Sequence, residues 1–246
     1  MGIDINHSRF LMHSFRTGVD FSRTITLGRQ HMNISATDLQ RNMAEFGFPS
    51  PRAEELLAGE GYAEPFLRML GAQQVDSLDI SRYEGATHLH DLNLPMDQRF
   101  FGRYSVVLDG GTLEHIFNTF HAFSNCMRMV RVGGHFLAYS PMNNFPGHGM
   151  YQFSPELFFR VFCKENGFVL CDLFQSEGDL LGGWRVMDPK DVGWRVGMPT
   201  PYESSLFAIA RKVREVPLFS VSPQQNDYVM MWKEYDSKNK GAARPV

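Results

Sequence analysis

A chain of 246 residues with 43% hydrophobic content can bury a full core, and α/β chains of this length commonly fold as one unit. A formal charge of -3 and the lack of any Lys/Arg-rich block leave no footprint for a nucleic-acid backbone, so a small-molecule substrate is expected. The longest apolar runs, Tyr104 to Leu108 and Phe136 to Tyr139, fall far short of the roughly 20 residues that a bilayer span takes.

The opening MGIDINHSRFLMHSF lacks a basic region followed by a long apolar stretch, so the expectation is a cytoplasmic protein with neither export signal nor membrane contact. Cys126, Cys163 and Cys171 form no CxxC pair and are read as reduced thiols, not a disulfide or zinc framework. His88 and His90 share one face of a strand but lack a third ligand at a suggestive spacing, and no metal site is assigned.

Thr24 to Gly28 (TITLG) alternates β-branched and apolar residues and stops at glycine, which predicts a first buried strand. Ser35 is a helix cap ahead of Leu39 and Met43; further helical stretches follow PSPRAEELL and run from about Ala63 to Leu70. Strands are then expected over Val75 to Ile80, Ala86 to His90, Tyr104 to Leu108 and His135 to Tyr139. The apolar spacing from Leu113 to Val130 predicts one helix stopped by Gly133 and Gly134. Ser154 and Pro155 start another helix, closed by Gly167. Val169 to Phe174 and Leu206 to Ala210 read as strands forming an antiparallel hairpin. The stretch from Glu177 to Ser204 has little periodicity and reads as a long ordered loop. Alternating strands and helices imply an α/β fold, a mostly parallel sheet with helices on both faces and an antiparallel strand near one edge. The boundaries expected are one domain over 1–235, with its core over 24–213 and lid or loop segments at 141–153 and 177–204. A loose tail follows at 236–246.

Three segments carry a family likeness. YSVVLDGGTLEHI, MRMVRVGGHFLAYSP and GHGMYQFSPELF, in that order of elements, resemble the class I S-adenosylmethionine-dependent methyltransferases, the small-molecule group in particular, from about Thr24 to Val213. The resemblance implies a Rossmann-like fold and S-adenosylmethionine as cofactor. It places Asp79 on the ribose hydroxyls, Asp91 against the adenine with Leu92 and Leu94 beside the ring, and Asp109 and Gly110 along the methionine portion. The family's GxGxG-like loop is replaced by LGRQHMN, in which Gly28 is kept and Arg29, Gln30 and His31 stand where small residues are usual. Gly28, Arg29 and Gln30 are expected to border the cofactor, with Gln30 or backbone amides at its carboxylate end.

Methyl transfer to an oxygen of a small polar molecule, such as a sugar or sugar nucleotide, is the function this implies, and it needs a group to take the hydroxyl proton. His148, between the two glycines of GHG on a mobile lid, and His115, after the fourth core strand, are the candidates. Tyr151, Gln152 and Trp184 are expected on the substrate. Trp184 and Trp194 can stack on a sugar face, but the reading preferred for both is that they anchor their loop to the core. The altered LGRQHMN loop also leaves open a catalytically inactive binding or assembly module. A dinucleotide-dependent oxidoreductase ranks last, because no GxGxxG follows a strand.

Overall fold

The computed structural model describes residues 2–48, 51–178, 182–197 and 199–239. β1 (Gly2–Ile3) and α1 (Ile5–Arg16) precede the first central strand, β2 (Arg23–Leu27). β3 (His31–Met32), α2 (Ala36–Glu45), α3 (Ala53–Leu56) and α4 (Glu64–Met69) then lead to β4 (Gln74–Asp79) and β5 (His88–Leu89). β6 (Tyr104–Gly110), α5 (Thr119–Met129), β7 (Val130–Asn143) and α6 (Pro155–Val161) follow. β8 (Phe168–Glu177), β9 (Gly183–Arg185), α7 (Pro189–Val192), β10 (Ser204–Lys212) and α8 (Asn226–Lys238) complete the chain.

The main sheet runs β5-β4-β2-β6-β7-β10-β8-β9. Its first five strands are parallel and the last three attach antiparallel. This is the Rossmann-like α/β order: successive strands step outward from β2 on one side, then resume at β6 on the other. The switch point lies where the ends of β2 and β6 meet. β1 pairs in parallel with β3, so the N-terminal segment lies beside the loop that follows β2.

Period-two alternation sends Ile25, Leu27, Val107, Phe136 and Ala138 into a core covered by α5 and α6. Val106, Leu108, Leu137, Phe207 and Ile209 face the opposite core under α1, α2 and α4. Both sheet faces are thus dry, as a parallel sheet requires. No helix of the described residues is long and apolar enough to cross a membrane.

Several expected boundaries move. The helix read over Leu113 to Val130 is split: Leu113–His115 forms a single 3-10 turn, and α5 starts afresh at Thr119, capped by the Asn118 side chain accepting from His121 N–H. Gly134 does not stop that helix but lies in β7, where a Cβ would come within 2.8 Å of the Ser105 carbonyl. The 177–204 segment is not an unbroken loop: β9 pairs with β8, α7 follows, and residues 179–181 and 198 lie outside the described residues. The tail read from Asp236 is helical as far as Lys238, within α8, and residues 240–246 lie outside the described residues. α1 and α8 were not expected from the sequence. In both, the apolar positions are mixed with polar ones that pack locally, as Ser8 and Ser14 do in α1.

Lys212 ties the antiparallel extension to the parallel half. It is 1% exposed, and its ammonium donates to the carbonyls of Met127 at 3.2 Å and Val130 at 3.0 Å and pairs with Glu215 at 2.7 Å. A cation at the carbonyl end of α5 also complements the helix dipole. Hydrogen bonds to a charged group are worth about 1.5 to 3 kcal/mol. Lys212→Ala should therefore lower the denaturation free energy by about that much in urea unfolding. An unchanged midpoint would show that water replaces the ammonium.

Candidate active site

Four strand ends and the loops after them build the crevice. Gly28 follows β2 and donates its N–H to the Leu78 carbonyl at 2.7 Å, fixing the exit of the chain from the sheet. The next three side chains diverge. Arg29 turns outward: Nε meets Glu64 at 2.7 Å, Nη1 meets Glu60 at 3.5 Å and the Glu84 carbonyl at 3.2 Å, and the guanidinium lies 3.6 Å from the Tyr62 ring centre. His31 stacks on Tyr62 at 4.2 Å and reaches Glu84 at 3.3 Å. Arg29 and His31 thus bind the loop after β2 to the loop after β4, and the positive head is held away from the switch point by carboxylates.

Gln30 turns inward and is buried. Its Nε2 donates to the Leu27 carbonyl at 2.8 Å, while Oε1 has no hydrogen-bond donor. The amide lies against Gly110, where a Cβ would stand 2.7 Å from Gln30 Cδ. Glycine at 110 is what lets this side chain sit between the ends of β2 and β6. Thr112 Oγ1 also donates to the Leu27 carbonyl, at 3.0 Å. The floor of the crevice is therefore filled, and open clefts lie elsewhere, such as the one between α1 and the outer strands lined by Arg9, Phe10, His13 and Phe174.

Asp109 closes β6 with no exposed surface. Its Oδ1 accepts from the N–H groups of Thr112 at 2.8 Å and Leu113 at 3.4 Å, and Oδ2 has no donor. Glu114, in the 3-10 turn beyond, is 0% exposed and neither carboxyl oxygen receives a hydrogen bond. Burial holds both carboxyls above their ordinary range, Asp109 further by its acidic neighbour Glu114, and Glu114 up to about 7. Two imidazoles face Glu114 Oε1: His148 Nε2 at 3.4 Å and His115 Nε2 at 3.8 Å, with ring centres 5.1 Å apart. Burial, then His148, pushes the His115 imidazole below its usual value.

The loop bearing His148 is tied down, in contrast to the mobile lid expected from GHG. Met150 and Tyr151 donate their N–H groups to the Glu114 carbonyl at 2.8 and 3.1 Å, and Asn144 Nδ2 holds the Thr200 and Tyr202 carbonyls. Tyr151 Oη donates to the Phe117 carbonyl at 2.9 Å, and Gln152 Oε1 accepts from Phe145 N–H at 3.0 Å, so both side chains brace the loop.

The remaining candidates are spread out. Asp79 is half-buried at the end of β4, with Oδ1 accepting from Ser81 N–H at 2.8 Å. Asp91 caps its own turn through Asn93, and Leu92 is buried in the core while Leu94 is exposed. Trp184 is half exposed on β9, separated from β7 by β8 and β10, and Trp194 is also exposed; neither is anchored in the core. His88 turns to Asp76 at 3.4 Å and His90 to the Leu94 carbonyl at 3.1 Å, so the pair does not converge.

Sequence reading missed Glu114 as a site residue. An acidic residue beside His115 in a TLEH turn was the available signal, but its burial depends on the distant loop at 144–150. It also missed Asp4, His7 and Tyr139. His7 Nδ1 lies 2.6 Å from Asp4, its ring lies 3.8 Å from that of Tyr139, and a Cβ at Gly111 would stand 3.7 Å from the same tyrosine.

No protein-family profile matches this sequence, and no curated protein matches it. Among solved structures the chain is similar to TehB from Haemophilus influenzae, at 13% identity over 82% of this chain and 61% of that one, with a TM-score of 0.44. It is similar to the branched-chain polyamine synthase of Thermus thermophilus, at 13% identity over 89% and 59%, with a TM-score of 0.46. A third is the Burkholderia thailandensis 1,6-didemethyltoxoflavin-N1-methyltransferase, at 13% identity over 85% and 78%, with a TM-score of 0.45. The chain thus spans about three fifths of the length of the first two. With each TM-score below 0.5, the functional reading rests on this chain's own strand order and side chains.

The Glu114 carboxyl gives a stability prediction for the ligand-free protein. A carboxyl raised from 4.5 to about 7 favours the fold fully below pH 4.5, where folded and unfolded states are both protonated. That contribution is lost as pH rises to about 7, because the unfolded chain releases the proton first. The melting temperature should fall across this window, by roughly 2–4 °C for each kcal/mol lost. Glu114→Gln should flatten the slope in thermal scans at several pH values. Parallel curves for the two proteins would contradict this origin of the slope.

Proposed function

We propose that the chain binds S-adenosylmethionine at the ends of β2, β4 and β6 and transfers its methyl group to an oxygen of a small polar molecule, such as a sugar or sugar nucleotide. The observation that carries this reading is the pair of buried acceptors without donors at the switch point, Gln30 Oε1 and Asp109 Oδ2. Buried acceptors of this kind are costly unless a donor or cation completes them. S-adenosylmethionine brings an α-ammonium that donates hydrogen bonds and a sulfonium, whereas a dinucleotide's pyrophosphate oxygens are themselves acceptors and offer Gln30 Oε1 and Asp109 Oδ2 no donor. Asp79, at the end of the neighbouring strand, suits a ribose diol, because a carboxylate accepts from two hydroxyls. Glu114, His115 and His148 supply polar groups on the acceptor side, where the protein's task is to align oxygen, methyl carbon and sulfur.

Gln30 favours a second reading, the same fold without catalysis, since its amide occupies the space above Gly110 that the cofactor needs. Bonds to the Leu27 carbonyl at 2.8 Å and the Gly28 carbonyl at 3.4 Å hold its donor end, and rotation of the side chain opens the floor. Thermal-shift measurements with S-adenosylhomocysteine and NAD on the wild type and Gln30→Ala separate the readings. A ligand at about a hundred times its dissociation constant adds about 2.7 kcal/mol. Stabilisation of the wild type by S-adenosylhomocysteine alone supports the methyltransferase. Binding only after Gln30→Ala supports the inactive fold, and no binding by either protein removes the cofactor altogether.

Asp79→Ala should weaken S-adenosylhomocysteine at least roughly tenfold in calorimetry while leaving the unfolding midpoint in place, because hydrogen bonds to a charged group are worth about 1.5 to 3 kcal/mol. Equal affinity would take Asp79 out of the site.

A further inference from the structure

We propose that Glu114, His115 and His148 form a binding site for a divalent transition-metal ion of the zinc class. One ligand atom from each lies within 4.8 Å of the other two. An ion held at the usual metal–nitrogen and metal–oxygen distances of about 2.0 to 2.2 Å sets its ligands roughly 3.0 to 3.5 Å apart. His148 stands at 3.4 Å from Glu114 and His115 at 3.8 Å, so small side-chain rotations bring all three onto one centre.

An independent observation concerns Glu114 itself. It is 0% exposed, its oxygens accept no hydrogen bond, and one of them faces both imidazoles. An ion there completes the carboxylate, whose oxygens accept no hydrogen bond from the described residues. The backbone is shaped for the same approach. Gly149 has φ +68°, and a Cβ on it would stand 3.0 Å from both Cγ and the carbonyl oxygen of Glu114. Only a glycine after His148 lets this loop close on the turn, where Met150 and Tyr151 then lock it.

Two imidazoles and one carboxylate suit zinc, iron or cobalt over magnesium or calcium, which prefer all-oxygen sets. Three protein ligands leave at least one position open, and with half of His148 exposed that position faces solvent. The site stands whether or not the chain transfers methyl groups. If it does, and here the inference rests on the proposed function, a coordinated acceptor hydroxyl is acidified by the ion and releases its proton to water. The imidazoles are then ligands, in place of the base expected from the sequence.

The test uses full-length protein with any affinity tag removed, dialysed against chelator, and titrated with Zn²⁺ or Co²⁺ in calorimetry, with Mg²⁺ for contrast. The expected result is one Zn²⁺ or Co²⁺ per chain, a Co²⁺ absorption spectrum of nitrogen and oxygen ligation, and no comparable Mg²⁺ binding. His148→Ala and His115→Ala should each weaken Zn²⁺ at least tenfold, whereas His90→Ala should not. Circular dichroism separates loss of a ligand from loss of the fold, and His148→Ala, on an exposed loop, is the variant least exposed to that ambiguity. No binding by the wild type, or affinity unchanged in both histidine variants, overturns the proposal. S-adenosylhomocysteine affinity, read separately, reports on the cofactor crevice and not on this site.

Discussion

Burying Glu114 beside Asp109 removes two carboxyls from water where the surrounding chain supplies few donors. Asp109 recovers part of that cost by capping the turn after β6, but Glu114 recovers none through hydrogen bonds. The fold tolerates this because the turn is held from two sides. The backbone of β6 enters it from the sheet, and the Glu114 carbonyl takes two N–H groups from the loop after β7. What the arrangement stores is an acceptor-rich, cation-deficient centre at the point where strand order reverses, which is where a doubly wound sheet places its ligands.

The rest of the structure positions that centre. β2 and β6 bring Gln30 and Gly110 into contact, α1 and its N-cap Asp4 bring His7 and Asp4 to Tyr139, the β7 residue paired with Gly110, and the β1–β3 pair anchors the N-terminal segment beside the loop after β2. Arg29 and His31 clamp Tyr62 and the loop after β4. The positive charge of Arg29 is thereby neutralised by Glu64 and Glu60, away from the ends of β2 and β6.

Much of this was legible in the sequence where local pattern decides structure. TITLG, VDSLDI and YSVVL gave strands because alternation and glycine punctuation are local signals, and Ser154 with Pro155 gave the start of α6 for the same reason. Elements set by packing were less legible. β7 is far longer than HFLAY suggests because β6 and β10 flank it along most of its length, and Gly134 serves that approach instead of ending a helix. His115 and His148 were candidates as separate residues, but nothing along the chain said that Glu114 would lie between them. Their convergence comes from two loops, whose His115 and His148 lie 33 residues apart in the chain, meeting through backbone hydrogen bonds, which leaves no trace in spacing or composition.

The most direct measurement is a crystal structure grown with saturating S-adenosylhomocysteine. The account predicts the ligand at the ends of β2 and β6, its α-ammonium within about 3 Å of the Gln30 or Asp109 oxygens, and the Gln30 side chain turned off Gly110. A crevice with Gln30 still seated on Gly110 and no ligand, or the ligand bound elsewhere on the chain, would contradict it.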